Sequence, residues 1–191
     1  YRLIHVGGGL ALGYVLFAAY SLGEDRPRQR GALELGITGL AAAGVVGAAG
    51  IMAWLWGGWF AGLAPVAGRG LMDTFSWLLA GGTTLALVSS WLFRDPSRKR
   101  LNWPDTLLAL AALAVMAYLI WFRSALQMRA GMPMATEADM WAAIVGAALI
   151  LELTRRLAGL ALVIIAAIFI LYAFVGPWLP GVFQHRGYAV K

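Results

Sequence analysis

Charge is nearly absent from long stretches of this chain and crowded into the short gaps between them. Residues 3–23, 35–68, 74–93, 106–122 and 157–184 contain no Asp, Glu, Lys or Arg, and residues 140–151 form a shorter uncharged run. A bilayer core about 30 Å thick takes about 20 apolar helical residues to cross. Several runs reach that length. The pattern predicts an all-α, polytopic membrane protein with about six transmembrane helices.

Helix one is expected over residues 2–22. It carries Gly7-Gly8-Gly9 and Gly13, with Gly9 and Gly13 at the small-xxx-small spacing that lets helices approach closely in lipid. No Lys-Ser/Thr follows the glycines, so they are not read as a phosphate loop. Helix two is expected over 33–56. Gly36, Gly39, Gly44, Gly47 and Gly50 give it a smooth strip, which reads as a helix-packing seam. Trp54, Trp56 and Trp59 cluster where this helix should leave the hydrocarbon, and are read as interfacial anchors. The segment 57–70 reads as a turn at the interface or a short re-entrant piece.

Helix three is expected over 71–93, with Asp73 and Thr74 in a first turn that favours a carboxylate. Asp105 is expected to cap helix four, which ends near Phe122, and Trp103 to anchor it. A more polar connector covers 124–134. Helix five runs from Thr136 to Arg156, with Glu137 and Asp139 at its start. Helix six, expected over 157–175, follows almost at once and is closed by Gly176-Pro177 and Pro180-Gly181.

Composition agrees with a lipid setting. The chain is 61% hydrophobic and 13% charged, where soluble domains carry about 25% charged residues. The net charge of +6 therefore reads as a topology signal, not as a nucleic-acid surface. Nine Lys/Arg fall in the gaps one–two, three–four and five–six, against three in the alternate gaps. Excess Lys/Arg marks the cytoplasmic side, which places those three gaps inside. The absence of cysteine excludes disulfides, thiolate metal sites and cysteine nucleophiles.

Ionisable groups within the bilayer are the default functional candidates, and the apolar runs hold almost none. Glu152 precedes Arg155 and Arg156 by three and four residues. That spacing places it on one helix face with both, as an interfacial ion pair at the turn between helices five and six, or as an interaction surface. His5 and His185 sit near the ends of spans, so a bis-histidine haem is a weak alternative. Ser76, Ser89 and Ser90 have no histidine near them in sequence, and no HExxH is present. No catalytic, substrate-binding or metal-ligating residue is assigned, and no cofactor. The chain reads as a membrane scaffold, not an enzyme.

One part of the chain has a family likeness. It lies in Leu151-Glu152-Leu153-Thr154-Arg155-Arg156, in Phe174-Val175-Gly176-Pro177-Trp178-Leu179-Pro180-Gly181, and in His185-Arg186-Gly187. These strings resemble the fused permeases of tripartite ATP-independent periplasmic (TRAP) transporters, in the branch served by TAXI-type binding proteins. Trp103-Pro104-Asp105 and Arg129-Ala130-Gly131-Met132-Pro133 are similar to the preceding helix and connector. The likeness covers roughly residues 69–191.

The resemblance implies a division into residues 31–156 as a four-helix small membrane domain and 157–191 as the first helix of a large transport domain. Residues 1–30, an additional helix and its loop, fall outside that family's pattern. It implies a bacterial inner-membrane location and a scaffold (stator) role in binding-protein-dependent uptake of small organic acids. A periplasmic TAXI-type protein would deliver substrate. The coupling ion, Na+ or H+, would bind in the large domain, and Glu152, Arg155 and Arg156 would mark the domain junction. Two other classes stay open: a haem- or quinone-binding anchor of a redox complex, and an accessory subunit of another membrane complex.

Overall fold

The computed structural model describes residues 2–19, 31–93, 103–129 and 135–181. Every regular element among them is helical: α1 (Arg2–Ala19), α2 (Ala32–Phe60), α3 (Arg69–Leu92), α4 (Trp103–Trp121), α5 (Arg123–Arg129), α6 (Glu137–Ala158) and α7 (Leu160–Val175), with a short 3-10 turn at Gly176–Trp178. The chain divides into two compact units, Tyr1–Leu149 and Ile150–Lys191.

In the first unit α2 packs on α3 and α4, and α1 packs on α4. The interior is built largely from small residues. Ala41, Ala48, Ala86, Ala111 and Ala112 are buried, while Leu40, Val46, Trp77 and Trp91 point outward. Helices in lipid gain little from hiding leucine and much from close backbone approach, so this inside-out distribution suits a bilayer. The larger buried side chains, Tyr14, Met52, Phe75, Leu79 and Tyr118, fill gaps between helices. The Tyr14 hydroxyl donates to the Leu149 carbonyl at 2.7 Å, tying α1 to α6.

The α2–α3 seam turns on two glycines. A Cβ on Gly44 would lie 2.7 Å from the Gly82 Cα, and one on Gly82 would lie 2.5 Å from the Val45 nitrogen. Backbone meets backbone there. Thr38 and Ser89 share a hydrogen bond of 3.1 Å further along the same pair.

Four described helices are long and apolar enough to cross a membrane: α2, α3, α4, and α7 with the following turn. The chain is a membrane protein on that basis. The expected total of about six also counted α1 and α6. The described apolar stretch of α1, Ile4–Leu16, is short. α6 carries acidic residues in its first turn and Arg155 and Arg156 in its last. The uncharged residues 140–151 between them span only about 18 Å at 1.5 Å per residue.

Several boundaries differ from the expected ones. α2 continues through Gly57-Gly58 to Phe60 and stops at Gly62, whose φ of 75° favours glycine. Trp54, Trp56 and Trp59 thus lie on the helix. α3 begins at Arg69, capped by Gly68, so Asp73 sits beyond its first turn. The connector after α4 contains α5. In the second unit α6 runs past Arg156 and breaks at Gly159, with φ 81° and ψ −178°, a conformation essentially reserved for glycine. α7 buries none of its residues.

Candidate functional site

Glu152, Arg155 and Arg156 form a compact ion cluster one turn before the Gly159 break. The Arg156 Nε donates to Glu152 Oε1 at 2.6 Å. Arg155 grips the same carboxylate in a two-pronged manner, Nε to Oε2 and Nη2 to Oε1, both at 2.8 Å. The side chains of Glu152 and Arg156 are each 3% exposed, that of Arg155 31%. The helical spacing makes this arrangement, as expected from sequence. The cationic excess at a helix C-terminus also complements the helix dipole. Chemically the cluster is a clamp in which one carboxylate holds two guanidinium groups.

A second constellation joins α4, α5 and α6 within the first unit. The Tyr118 hydroxyl donates to Asp139 Oδ1 at 2.6 Å, and the Arg129 Nη1 donates to Asp139 Oδ2 at 2.7 Å. The Thr136 N–H donates to Asp139 Oδ2 at 2.9 Å, and the Asp139 N–H returns a bond to Thr136 Oγ1 at 3.2 Å. This reciprocal pair is a capping box with Asp in the usual Glu/Gln place. Phe75 stacks on the Tyr118 ring at 5.2 Å, 9° from parallel, and holds it in place.

Asp139 lies in the first turn of α6, before the uncharged run. Burial raises its pKa, but the bonds from Tyr118, Thr136 and Arg129 outweigh burial and hold the carboxyl below its ordinary 3.8. A carboxyl whose pKa is lowered on folding stabilises the fold above the unfolded pKa, and that contribution fades as pH falls through the folded value. Thermal unfolding should therefore turn acid-sensitive below about pH 4. Asp139→Asn should flatten that dependence. Tyr118→Phe should cost about 1.5–3 kcal/mol at neutral pH, the range for a hydrogen bond to a charged group. An unchanged melting temperature in Tyr118→Phe would show the bond to be dispensable.

The cluster borders a partly open cavity of about 710 Å³, whose lining includes Arg69, Asp73, Phe122, Arg129 and Glu137. Sequence reasoning placed Asp73 and Glu137 at helix starts and Arg69 and Arg129 in connectors, but did not bring them together. Asp139 was legible only as a carboxylate at a helix start. Tyr118, 21 residues earlier, carried no comparable signal.

The remaining sequence-selected residues separate into groups. Trp54, Trp59 and Trp103 are more than half exposed, as interfacial anchors would be. Trp56 turns inward: its ring meets Trp121 edge-on at 5.2 Å and its indole N–H donates to the Ala117 carbonyl at 3.4 Å. Gly44 lies in the α2–α3 seam, and a Cβ on Gly47 would meet Leu78 Cδ1 at 3.0 Å. A Cβ on Gly36, Gly39 or Gly50 would meet open space, so these three lie off the seam. A Cβ on Gly9 likewise meets nothing, whereas one on Gly7 would lie 2.6 Å from Met116 of α4. His5 is exposed on α1, and His185 lies outside the described residues. Among the described residues no group of three His, Asp or Glu side chains is placed to hold a metal.

Comparison of the chain with family models, with curated proteins and with solved structures returned no match.

Proposed function

We propose that this chain is the scaffold (stator) part of an ion-gradient-driven, binding-protein-dependent secondary transporter for small organic acids. In this reading it sits in a bacterial inner membrane. α2, α3, α4 and α6 are its small domain, and α7 begins the large transport domain.

The observation that carries the proposal is α7. With the turn that follows, it is the most apolar of the candidate spans, at a mean hydropathy of 2.6, yet it buries none of its residues. A span of this kind, set off by a glycine break and preceded by the Glu152–Arg155–Arg156 ion cluster, suits a helix whose packing partners belong to another domain. The first unit supplies what a stator needs. Its helices are closely packed, and its outside is apolar. The charged residues of α3, α4 and α6, namely Arg69, Asp73, Asp105, Glu137, Asp139, Glu152, Arg155 and Arg156, lie toward helix ends. A substrate or ion pathway would call for charges at mid-membrane.

The test uses the assembled transporter reconstituted with its soluble binding protein. Arg155→Gln combined with Arg156→Gln should reduce assembly or uptake. Substrate capture by the soluble protein, and ion affinity of whatever assembles, should stay near wild type. Two results would refute the stator role: substrate binding or transport by the purified chain alone, or loss of ion affinity in a double variant that assembles normally.

A further inference from the structure

The cavity beside Tyr118 holds charges that the cluster does not use. Arg129 and Asp139 satisfy one another. Arg69, Asp73 and Glu137 also line the cavity, and among the described residues no side-chain hydrogen bond or ion pair engages them. Arg69 and Asp73 are four residues apart on one helix, a spacing at which opposite charges commonly pair, yet here they do not. The cavity therefore offers one guanidinium and two carboxylates to a ligand.

A ligand of a single sign would leave part of that set unmatched. A zwitterion with a primary ammonium beside a phosphate matches all of it. The ammonium donates to the carboxylates and the phosphate accepts from Arg69, each as a charge-assisted hydrogen bond. Apolar side chains that adjoin the lining in sequence point to a lipid source. Leu63 and Val66, on the segment leading to Ala67 and Arg69, and Met128, beside Arg129, are large apolar side chains left exposed. Acyl chains need such a surface, and a water-soluble zwitterion does not. The lining residues Arg69, Phe122, Arg129 and Glu137 also lie at helix ends, where a membrane protein meets the headgroup layer.

We infer that this cavity is a binding site for the headgroup of a phosphatidylethanolamine-type lipid, whose ammonium is held by Asp73 and Glu137, whose phosphate is held by Arg69, and whose acyl chains lie over Leu63, Val66 and Met128. The site is independent of the transport role proposed above.

Native mass spectrometry of the purified chain, released from micelles holding equal amounts of phosphatidylethanolamine and phosphatidylcholine, tests this. Choline has no N–H to donate, so ethanolamine lipid should be retained about tenfold better, the value of one charge-assisted hydrogen bond. Asp73→Asn with Glu137→Gln should bring the ratio to about 1, with circular dichroism unchanged. Arg69→Gln should weaken retention of both lipids, because both carry the phosphate. Equal retention of the two lipids by the wild-type chain, or a preference that survives the double variant, would overturn the site. Free phosphoethanolamine should neither bind nor displace the lipid at matched concentration. If it does, the occupant is a soluble zwitterion and the lipid assignment fails.

Discussion

Gly82→Ala should destabilise the first unit by about 3 kcal/mol, the upper end of what overpacking a well-packed interior costs. The added methyl would lie 2.5 Å from the Val45 nitrogen and 2.8 Å from the Gly44 carbonyl carbon. Both are backbone atoms of a long helix, so relief needs α2 and α3 to move apart, and no rotamer change can supply it. Gly44→Ala should behave alike, since its Cβ would meet Gly82 Cα and the Leu78 carbonyl oxygen. Gly47→Ala should be milder, because the atom it meets is the end of the flexible Leu78 side chain. Gly36→Ala should be neutral or stabilising by about 0.5–1 kcal/mol, as alanine is the better helix former where space is open. Unfolding in mixed detergent micelles, followed by circular dichroism, gives all four values. A Gly82→Ala protein as stable as wild type would mean that the two helices are not held at this distance.

Glu152→Gln should cost about 3–5 kcal/mol, the usual penalty for removing one partner of a buried ion pair. It deprives a buried Arg156 of its carboxylate and leaves two guanidinium groups crowded on one helix face. Arg155→Gln should cost only about 1 kcal/mol, since that side chain is partly solvated and Glu152 retains Arg156. A double-mutant cycle between Glu152→Gln and Arg156→Gln isolates the pair. Because neutral glutamines can occupy the same space, the double variant should recover part of the single variant's loss. Equal effects at Arg155 and Arg156 would show that burial does not decide the strength of the clamp.

These two regions differ in how far they could be read from the residue order. Glu152, Arg155 and Arg156 are within one helical turn, so periodicity alone brings them together. The glycine strip on α2 was legible as a packing seam, but which of its glycines make the contact was not. Five glycines at steps of three to five face around the helix, and sequence cannot say which meets a neighbour. The neighbour is Gly82, 38 residues beyond Gly44, and its own signal was only the Gly81-Gly82 pair in an apolar run. Gly7 and Gly9 are the same case: both were visible, but only Gly7 lies against another helix.

The boundaries repeat the point. A break between α6 and α7 was legible from the arginine pair, but charge can sit on a helix as readily as beyond it. The position of the break was decided by Gly159, which accepts a backbone conformation that Arg156 and Leu157 would not. The number of spans was harder still, because α6 has the length of a span with the charge of a surface helix.

What the sequence by itself determined is therefore local and solvent-driven. Long uncharged runs require helices in lipid, glycine permits close approach, and residues three or four apart on a helix meet. What only the tertiary structure decided is which of those faces meet one another. It selected Gly44 and Gly82 as the seam. It closed Tyr118, Arg129 and Asp139 into one network and left Arg69, Asp73 and Glu137 around a common cavity. The physical reason is distance along the chain. The partners on different helices are 10 to 68 residues apart, and no helical period links residues on different helices until the helices have packed.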